Sequence, residues 1–309
     1  MSIKQKTFVS AVVYVCDSEI VLSSFLKRLY SVLDDNFEKF EIICVNDAST
    51  DNGREVIKNL ARELKSNMLS VINMSYWQGL ERAMCAGVDL AIGDFVFEFD
   101  GTVMDYECNL IMQIYNRSLE GYDIVSCGKG YLNTLSKLFY SIYNKYSGTQ
   151  YKLKSETFRI LSRRAINRVH SLSTSLPYRK ALYSNCGLKT DYVYYKPIGT
   201  VAIPKRMLKS SYDTAITALI LFTNIAYKST VALTFIMMLL TLTAAVYVIT
   251  RYLKGVTVPG YTTTMLLSSG AFFAVFAVLT IIIKYLSIIL GIIFNRQKYA
   301  IESIEKINL

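Results

Sequence analysis

"FVFEFDGTVMDY", Phe95 to Tyr106, decides how the rest of the chain is read. A run of β-forming apolar residues ends on Asp100, and Gly101 gives the backbone a place to turn. In an open α/β sheet, ligands bind beyond the carboxyl ends of the strands, so Asp100 becomes the first candidate site residue. A second carboxylate two residues on would make a chelating pair, but that position is Thr102, and Asp105 follows. Glu98 lies one register early, inside the strand, where a ligand-facing side chain is less well placed.

The segments upstream repeat the pattern. Thr7–Val15, Phe40–Val45 and Leu69–Met74 read as strands, and Glu19–Leu33, Gly53–Leu64 and Gly79–Ala91 as the helices between them. Near-continuous apolar strands alternating with helices predict a mainly parallel, Rossmann-like sheet covered on both faces. Asp17 and Asp47 join Asp100 as polar residues just past strand ends. Gly79, Ala83, Gly87 and Ala91 recur every four residues and predict a small-residue packing stripe on the third helix. Downstream, Tyr106–Leu119 and Tyr131–Tyr146 read as helices, and Ile124–Ser126 and Thr190–Tyr195 as strands.

The chain has 309 residues, a mean hydropathy of +0.30 and a net charge of +10. Between Lys129 and His170 nine Lys or Arg face one acid, Glu156. Such a bias suits an anionic membrane surface or phosphorylated ligands, with nucleic acid disfavoured by the apolar C-terminal segments. Six scattered cysteines without metal spacing read as reduced core thiols, and His170 as a surface histidine. Ser229–Thr250 and Tyr261–Ile283 are each long and apolar enough to span a bilayer. The short link Arg251–Gly260 puts both ends of the pair on one side. Basic residues at 205–209, Lys228, Arg296 and Lys298 place that side in the cytoplasm. The N-terminus has no signal-peptide pattern. The expected organisation is a domain at 1–210, a juxtamembrane helix at 211–228, interfacial or buried, two transmembrane helices within 229–294, and a cytoplasmic tail at 295–309.

Taken in order, "VVYVCDSE" (12–19), "VNDASTDN" (45–52), "QGLERAMCAGVDLAIGD" (78–94), the Asp100 strand, "SKLFYSIYNKYS" (136–147), "FRILSR" (158–163), "GLKTDYVYY" (187–195), "GYTT" (260–263) and "RQKYAIESI" (296–304) resemble family 2 glycosyltransferases of the GT-A fold. The resemblance is to the polyprenyl-phosphate branch, which includes bactoprenol glucosyltransferases and dolichol-phosphate mannose synthases. It implies an inverting enzyme that moves a hexose from a nucleotide-sugar, taken as a UDP-sugar, to a polyprenyl phosphate at the cytoplasmic membrane face, with self-association expected. By position it implicates Tyr14, Val15, Asp17, Glu19 and Asp47 in nucleotide binding. Asp47 in "DAST" also has the chemistry of a helix or turn cap. The resemblance further implies Mg2+ or Mn2+ on Asp100, with Asp105 as a second ligand, although Thr102 departs from the family's D-x-D-x-x-D. Asp100 and Arg159 are the candidate catalytic residues. Lys137, Arg159 and Arg163 are the candidate contacts to the acceptor phosphate, which is already an anionic nucleophile. Relatives carry an aspartate before the Phe-Arg pair, and here Thr157 stands there. Two alternatives stay open: transfer to a lipid-linked saccharide hydroxyl, with Glu156 or Asp105 as base, and a catalytically silent membrane scaffold. Asp100→Ala is expected to abolish sugar transfer in a purified assay. Near-normal turnover in that variant removes Asp100 from the active site.

Overall fold

The computed structural model describes residues 4–64, 68–131, 133–147, 151–172, 178–199 and 301–306, together with isolated helical positions between 215 and 289. By its internal contacts the chain divides into two compact units, Met1–Ala218 with Arg296–Leu309, and Leu219–Asn295.

The first unit is built on strand β1 (Gln5–Val15). It pairs in parallel with β2 (Phe37–Asn46) on one side and β4 (Phe95–Phe99) on the other, and β3 (Leu69–Met74) lies beyond β2. Side chains alternate along β1. Val9, Ala11, Val13 and Val15 therefore join one core with Leu22, Leu26 and Leu29 of helix α1 (Glu19–Asn36), Ile57 of α2 (Gly53–Glu63) and Ile111 of α4 (Asn109–Leu119). Val12 and Tyr14 face the other way. They pack with Ala83 and Met84 of α3 (Leu80–Leu90) and Ile166 of α6 (Arg163–Leu172). The small-residue stripe works against the sheet: a Cβ at Gly87 would come within 2.3 Å of Val12 Cγ1 and 2.7 Å of Val45 Cγ2.

The eight strands run in the order β7-β5-β6-β4-β1-β2-β3-β8. The sheet is mainly parallel, as expected, with two strands reversed. β6 (Phe158–Ser162) runs against both β4 and β5 (Ile124–Lys129), and β8 (Ile301–Lys306) runs against β3. β7 (Thr190–Tyr195) closes the far edge, parallel to β5. Because the chain crosses β1 between β3 and β4, the sheet has its switch point where β1 and β4 end, at Asp17 and Asp100, which is the ligand crevice of open α/β sheets. The helix expected from Tyr106 begins only at Asn109. Tyr106 is instead buried, its ring 4.6 Å from that of Phe158. The cysteines expected in the core form no disulfide among the described residues; Cys44, Cys85, Cys127 and Cys186 are buried, and Cys16 and Cys108 half-buried.

β8 comes from the segment read as a tail. Arg54 and Lys58 of α2 pair with Glu305, and Asn73 of β3 donates to Ser303 Oγ at 3.0 Å and Glu305 Oε1 at 3.3 Å. The tail thereby covers the β3 edge, which would otherwise offer an open ladder.

Both expected transmembrane segments, 229–250 and 261–283, lie outside the described residues apart from isolated positions such as Leu233, Leu239 and Ile282, which are helical. Among the described residues no helix is long and apolar enough to cross a membrane. Truncating the chain after Ala300 is expected to destabilise the first unit by about 2 kcal/mol, a fall in Tm of roughly 4–8 °C for a domain of this size. Differential scanning fluorimetry with light scattering checks this: an unchanged Tm without added self-association means that β8 is dispensable.

Candidate functional site

Glu98 and Asp100 are two residues apart at the end of β4, so their side chains leave the sheet on the same face. The register of the antiparallel neighbour sets Arg159 of β6 directly opposite Glu98. One guanidinium fork then reaches both carboxylates: Nη1 donates to Glu98 Oε2 at 2.5 Å and Nη2 to Asp100 Oδ2 at 2.8 Å. Nε donates to Glu156 Oε2 at 2.8 Å, so every nitrogen of the buried Arg159 is taken.

A second arginine closes the arrangement from above. Helix α7 (Arg179–Asn185) brings Arg179, whose Nη2 donates to Asp100 Oδ1 at 3.0 Å and Nε to Glu81 Oε2 at 3.1 Å. Its Nη1 lies 2.8 Å from Glu98 Oε1, an ion-pair contact without hydrogen-bond alignment. Tyr183, one turn on, donates to the same Glu98 oxygen at 2.8 Å. Lys180 reaches the cluster more loosely, its Nζ 3.8 Å from Asp100 Oδ2 and 3.5 Å from the Glu156 carbonyl. Burial alone would push the Asp100 carboxyl up, but Arg159, Arg179 and Lys180 outweigh it and hold its pKa at about 2. Burial likewise opposes the charge on Lys180, yet Tyr140, Asp100 and Glu156 leave its pKa above the ordinary lysine value.

The structure gathers the expected nucleotide residues at the ends of β1 and β2 but ties them to one another. Tyr14 donates its hydroxyl to Asp47 Oδ2 at 2.9 Å, and Asp47 also accepts the amides of Gln78 and Gly79, both at 2.8 Å. Fully buried, Asp47 anchors the entry to α3, where Gly79 holds φ at 84°. That is capping chemistry, delivered to α3 and not to Asp47's own loop. Val15 is fully buried and offers its carbonyl to the Asp47 amide at 3.0 Å. Asp17, at a φ of 46°, accepts from Thr50 N at 2.8 Å and Thr50 Oγ1 at 3.0 Å. Glu19 accepts from Asn52 N at 3.2 Å while its own amide donates to Asp51. These bonds lock the 47–52 loop onto the end of β1.

One expectation for the acceptor side needs correcting. Arg163 follows the end of β6 that pairs with Phe95, at the opposite end of β4 from Asp100, and it donates to the carbonyls of Ala91 and Gly93. β6 runs antiparallel to β4, so a spacing of four residues from Arg159 carries Arg163 away from the site. Lys137 is exposed on α5 (Thr134–Tyr146), a helix whose only buried residue is Tyr143. His170 is exposed, as expected of a surface histidine, with Nε2 2.7 Å from Asp89 Oδ1.

The expected metal pair does not assemble either. Both oxygens of Asp100 are engaged by guanidinium groups. Asp105, 4% exposed, is held by Lys129 at 2.6 Å and by the Tyr195 hydroxyl at 2.8 Å. Tyr195 also bonds Thr157, which stands where relatives carry an aspartate. Among the described residues no three His, Cys, Asp or Glu side chains are grouped to hold an ion. A Mg2+ ion can be held by one or two carboxylates with substrate phosphates and water, but here each Asp100 oxygen already accepts a guanidinium N–H, so the carboxylate is not presented to an ion.

Sequence reasoning missed Arg179, Lys180 and Tyr183. The signal was Glu98: a carboxylate inside an apolar strand has to be paired, and one arginine could not satisfy both it and Asp100.

The family described as glycosyl transferase family 2 matches residues 10–170. An uncharacterized glycosyltransferase of Synechocystis is 27% identical over 83% of this chain and 82% of its own length. The bactoprenol glucosyl transferase of Shigella phage SfV is 26% identical over 60% of this chain and 62% of its own length. Among solved structures, a mannosyltransferase from Pyrobaculum calidifontis in complex with GDP-mannose and Mn2+ aligns with a TM-score of 0.55 at 14% identity, over 89% of this chain and 88% of its own. A glucosyl-3-phosphoglycerate synthase from Mycobacterium tuberculosis with Mn2+, UDP and phosphoglyceric acid gives a TM-score of 0.51 at 15% identity, over 69% and 78%. At these identities the two structures establish a shared GT-A fold.

Arg159→Met leaves Glu98 and Asp100 buried beside Arg179, with only the looser Lys180 contact to Asp100 in addition, and is expected to cost about 3–5 kcal/mol in chemical denaturation. Asp100→Asn has a pH signature. A carboxyl depressed in the folded state stabilises above its unfolded pKa of about 4, and that contribution is lost as pH falls through about 2. The stability gap between wild type and Asp100→Asn should be full at pH 7 and shrink between about pH 4 and 2. A gap independent of pH overturns the assignment.

Proposed function

Since the chain belongs to glycosyl transferase family 2, we propose that it is a membrane-anchored inverting hexosyltransferase, moving a hexose from a UDP-sugar to a polyprenyl phosphate at the cytoplasmic face for cell-surface glycan synthesis. A phosphate oxygen of the lipid attacks the anomeric carbon from the side opposite the nucleotide. The bond from that carbon to the β-phosphate oxygen breaks, and the nucleoside diphosphate leaves with the electron pair. The work of such a site is to position two anions and to stabilise the departing one.

The state of the carboxylates is the observation that carries the acceptor class. Glu81, Glu98, Asp100 and Glu156 each face an arginine, and Asp105 faces Lys129. A saccharide hydroxyl needs a base to take its proton. A lipid phosphate arrives ionised and needs none, so a site whose acids are all held by cations suits it better. The bactoprenol glucosyl transferases among the relatives support the same class.

Two features support membrane residence. β8 returns to the sheet after Leu219–Asn295, so the first unit holds the chain on both sides of that segment, and any membrane it passes is crossed an even number of times. Within the segment, helical Val275, Leu279, Ile282, Leu286 and Ile289 follow a 4-3-4-3 spacing and are each 43–55% exposed, an apolar row that suits lipid.

Purified full-length protein supplied with radiolabelled UDP-hexoses and undecaprenyl phosphate is expected to move label into the organic phase with at least one sugar. Label appearing only on a lipid-linked saccharide, with none on the lipid phosphate, overturns the acceptor assignment.

A further inference from the structure

The cations around Asp100 are unequally committed. Arg159 spends all its nitrogens on Glu98, Asp100 and Glu156. Arg179 hydrogen-bonds Glu81 through Nε and Asp100 through Nη2, while its Nη1 lies 2.8 Å from Glu98 without a hydrogen bond. Lys180 has three N–H donors. It places its ammonium 3.8 Å from one carboxylate oxygen and makes one long bond, 3.5 Å, to a backbone carbonyl. Its side chain is only 12% exposed. A charged group withdrawn from water ordinarily gains close partners, and a lysine with donors to spare at the end of β4 lacks an anion.

The same place is where a divalent cation would have to sit, and its ligands have been taken. Thr102 offers a neutral oxygen, both Asp100 oxygens hold guanidinium groups, and Asp105 is fastened to Lys129 and Tyr195. The four carboxylates (Glu81, Glu98, Asp100, Glu156) outnumber the three cations (Arg159, Arg179, Lys180) by one, so what the cluster holds in reserve is donor capacity, most of it on Lys180 and some on Arg179 Nη1.

We propose that Lys180, backed by the arginine pair that Asp100 fixes in place, binds the diphosphate of the nucleotide donor and supplies there the positive charge that a divalent cation would otherwise supply. Asp100 becomes a counter-ion that orients cations, no longer a metal ligand. Lys180 lies at the second position of α7, so the helix that closes over Asp100 also carries the group that meets the phosphate. An ammonium is a compact point charge and suits a diphosphate oxygen without demanding bidentate geometry. The inference rests on the nucleotide-sugar part of the functional reading and is independent of the acceptor.

Calorimetry of UDP binding to the full chain, in excess EDTA and in excess manganese chloride, reads it directly. UDP affinity is expected to differ by less than about threefold between the two. Lys180→Met should weaken it by about 10- to 100-fold, the range of one charge-assisted hydrogen bond. Lys180→Arg should recover part of the loss, and the KM for undecaprenyl phosphate in Lys180→Met should stay within about twofold. UDP binding that requires manganese overturns the inference, as does a Lys180→Met variant with unchanged UDP affinity and a raised KM for the lipid. If Lys180→Met does not fold by circular dichroism, the EDTA comparison on wild type decides alone. Metal-independent, Lys180-dependent UDP binding without transfer to any lipid phosphate keeps this inference and removes the proposed acceptor.

Discussion

Two carboxylates that leave one strand on the same face cannot both be buried unless something positive lies between them. Glu98 and Asp100 are in that position, and Arg159, set opposite Glu98 by the register of β6, is what permits it. Much of the site follows from this requirement. β6 has to run antiparallel to β4 to present Arg159 at the level of Glu98, which also carries Arg163 to the far end of the sheet. One arginine leaves an oxygen on each carboxylate, so α7 folds over the strand end to add Arg179, and Glu81 of α3 steadies that arginine from the other side. Ionic contacts this deep do not add much net stability over an apolar core. What they enforce is a single arrangement, because removing any member strands a charge.

The interlock also explains why threonine is tolerated at 102. A carboxylate there would add a negative group beside Asp100, where the existing cations are already committed to four acids. With Thr102, buried and neutral, the charges stay close to balance. The chain that carries a familiar strand-to-aspartate junction therefore uses the aspartate differently, as a clamp on guanidinium groups.

The first half of the fold was legible because its signals are local. β1 to β4 are apolar runs bounded by polar turn residues, and the stripe through Gly87 could be read from spacing alone. The later elements give no such signal. β6 holds a fully buried arginine, α7 is seven residues long and begins on two cations, and β8 turns Ser303 and Glu305 inward while Ile304 faces out, 48% exposed. Each takes its place through a partner distant in sequence: Glu98 for Arg159, Asp100 for Arg179, Arg54 and Lys58 for Glu305. Single-chain periodicity cannot see such pairings. The site was legible to the same degree. Asp100 and Arg159, singled out by position, do meet in the structure, whereas the roles of Asp17, Glu19 and Asp47 as ties between loops depend on contacts that no motif states.

The placement of β8 has a consequence for how the protein is made. Its strand is encoded after the whole of the apolar second unit, and the sheet it joins was begun at Gln5. The catalytic half thus waits, with one flank uncovered, until the apolar half has been translated. A chain that stops short of residue 301 keeps the Glu98–Asp100–Arg159–Arg179 cluster but leaves the β3 edge as a sticky flank that chaperones and proteases can recognise.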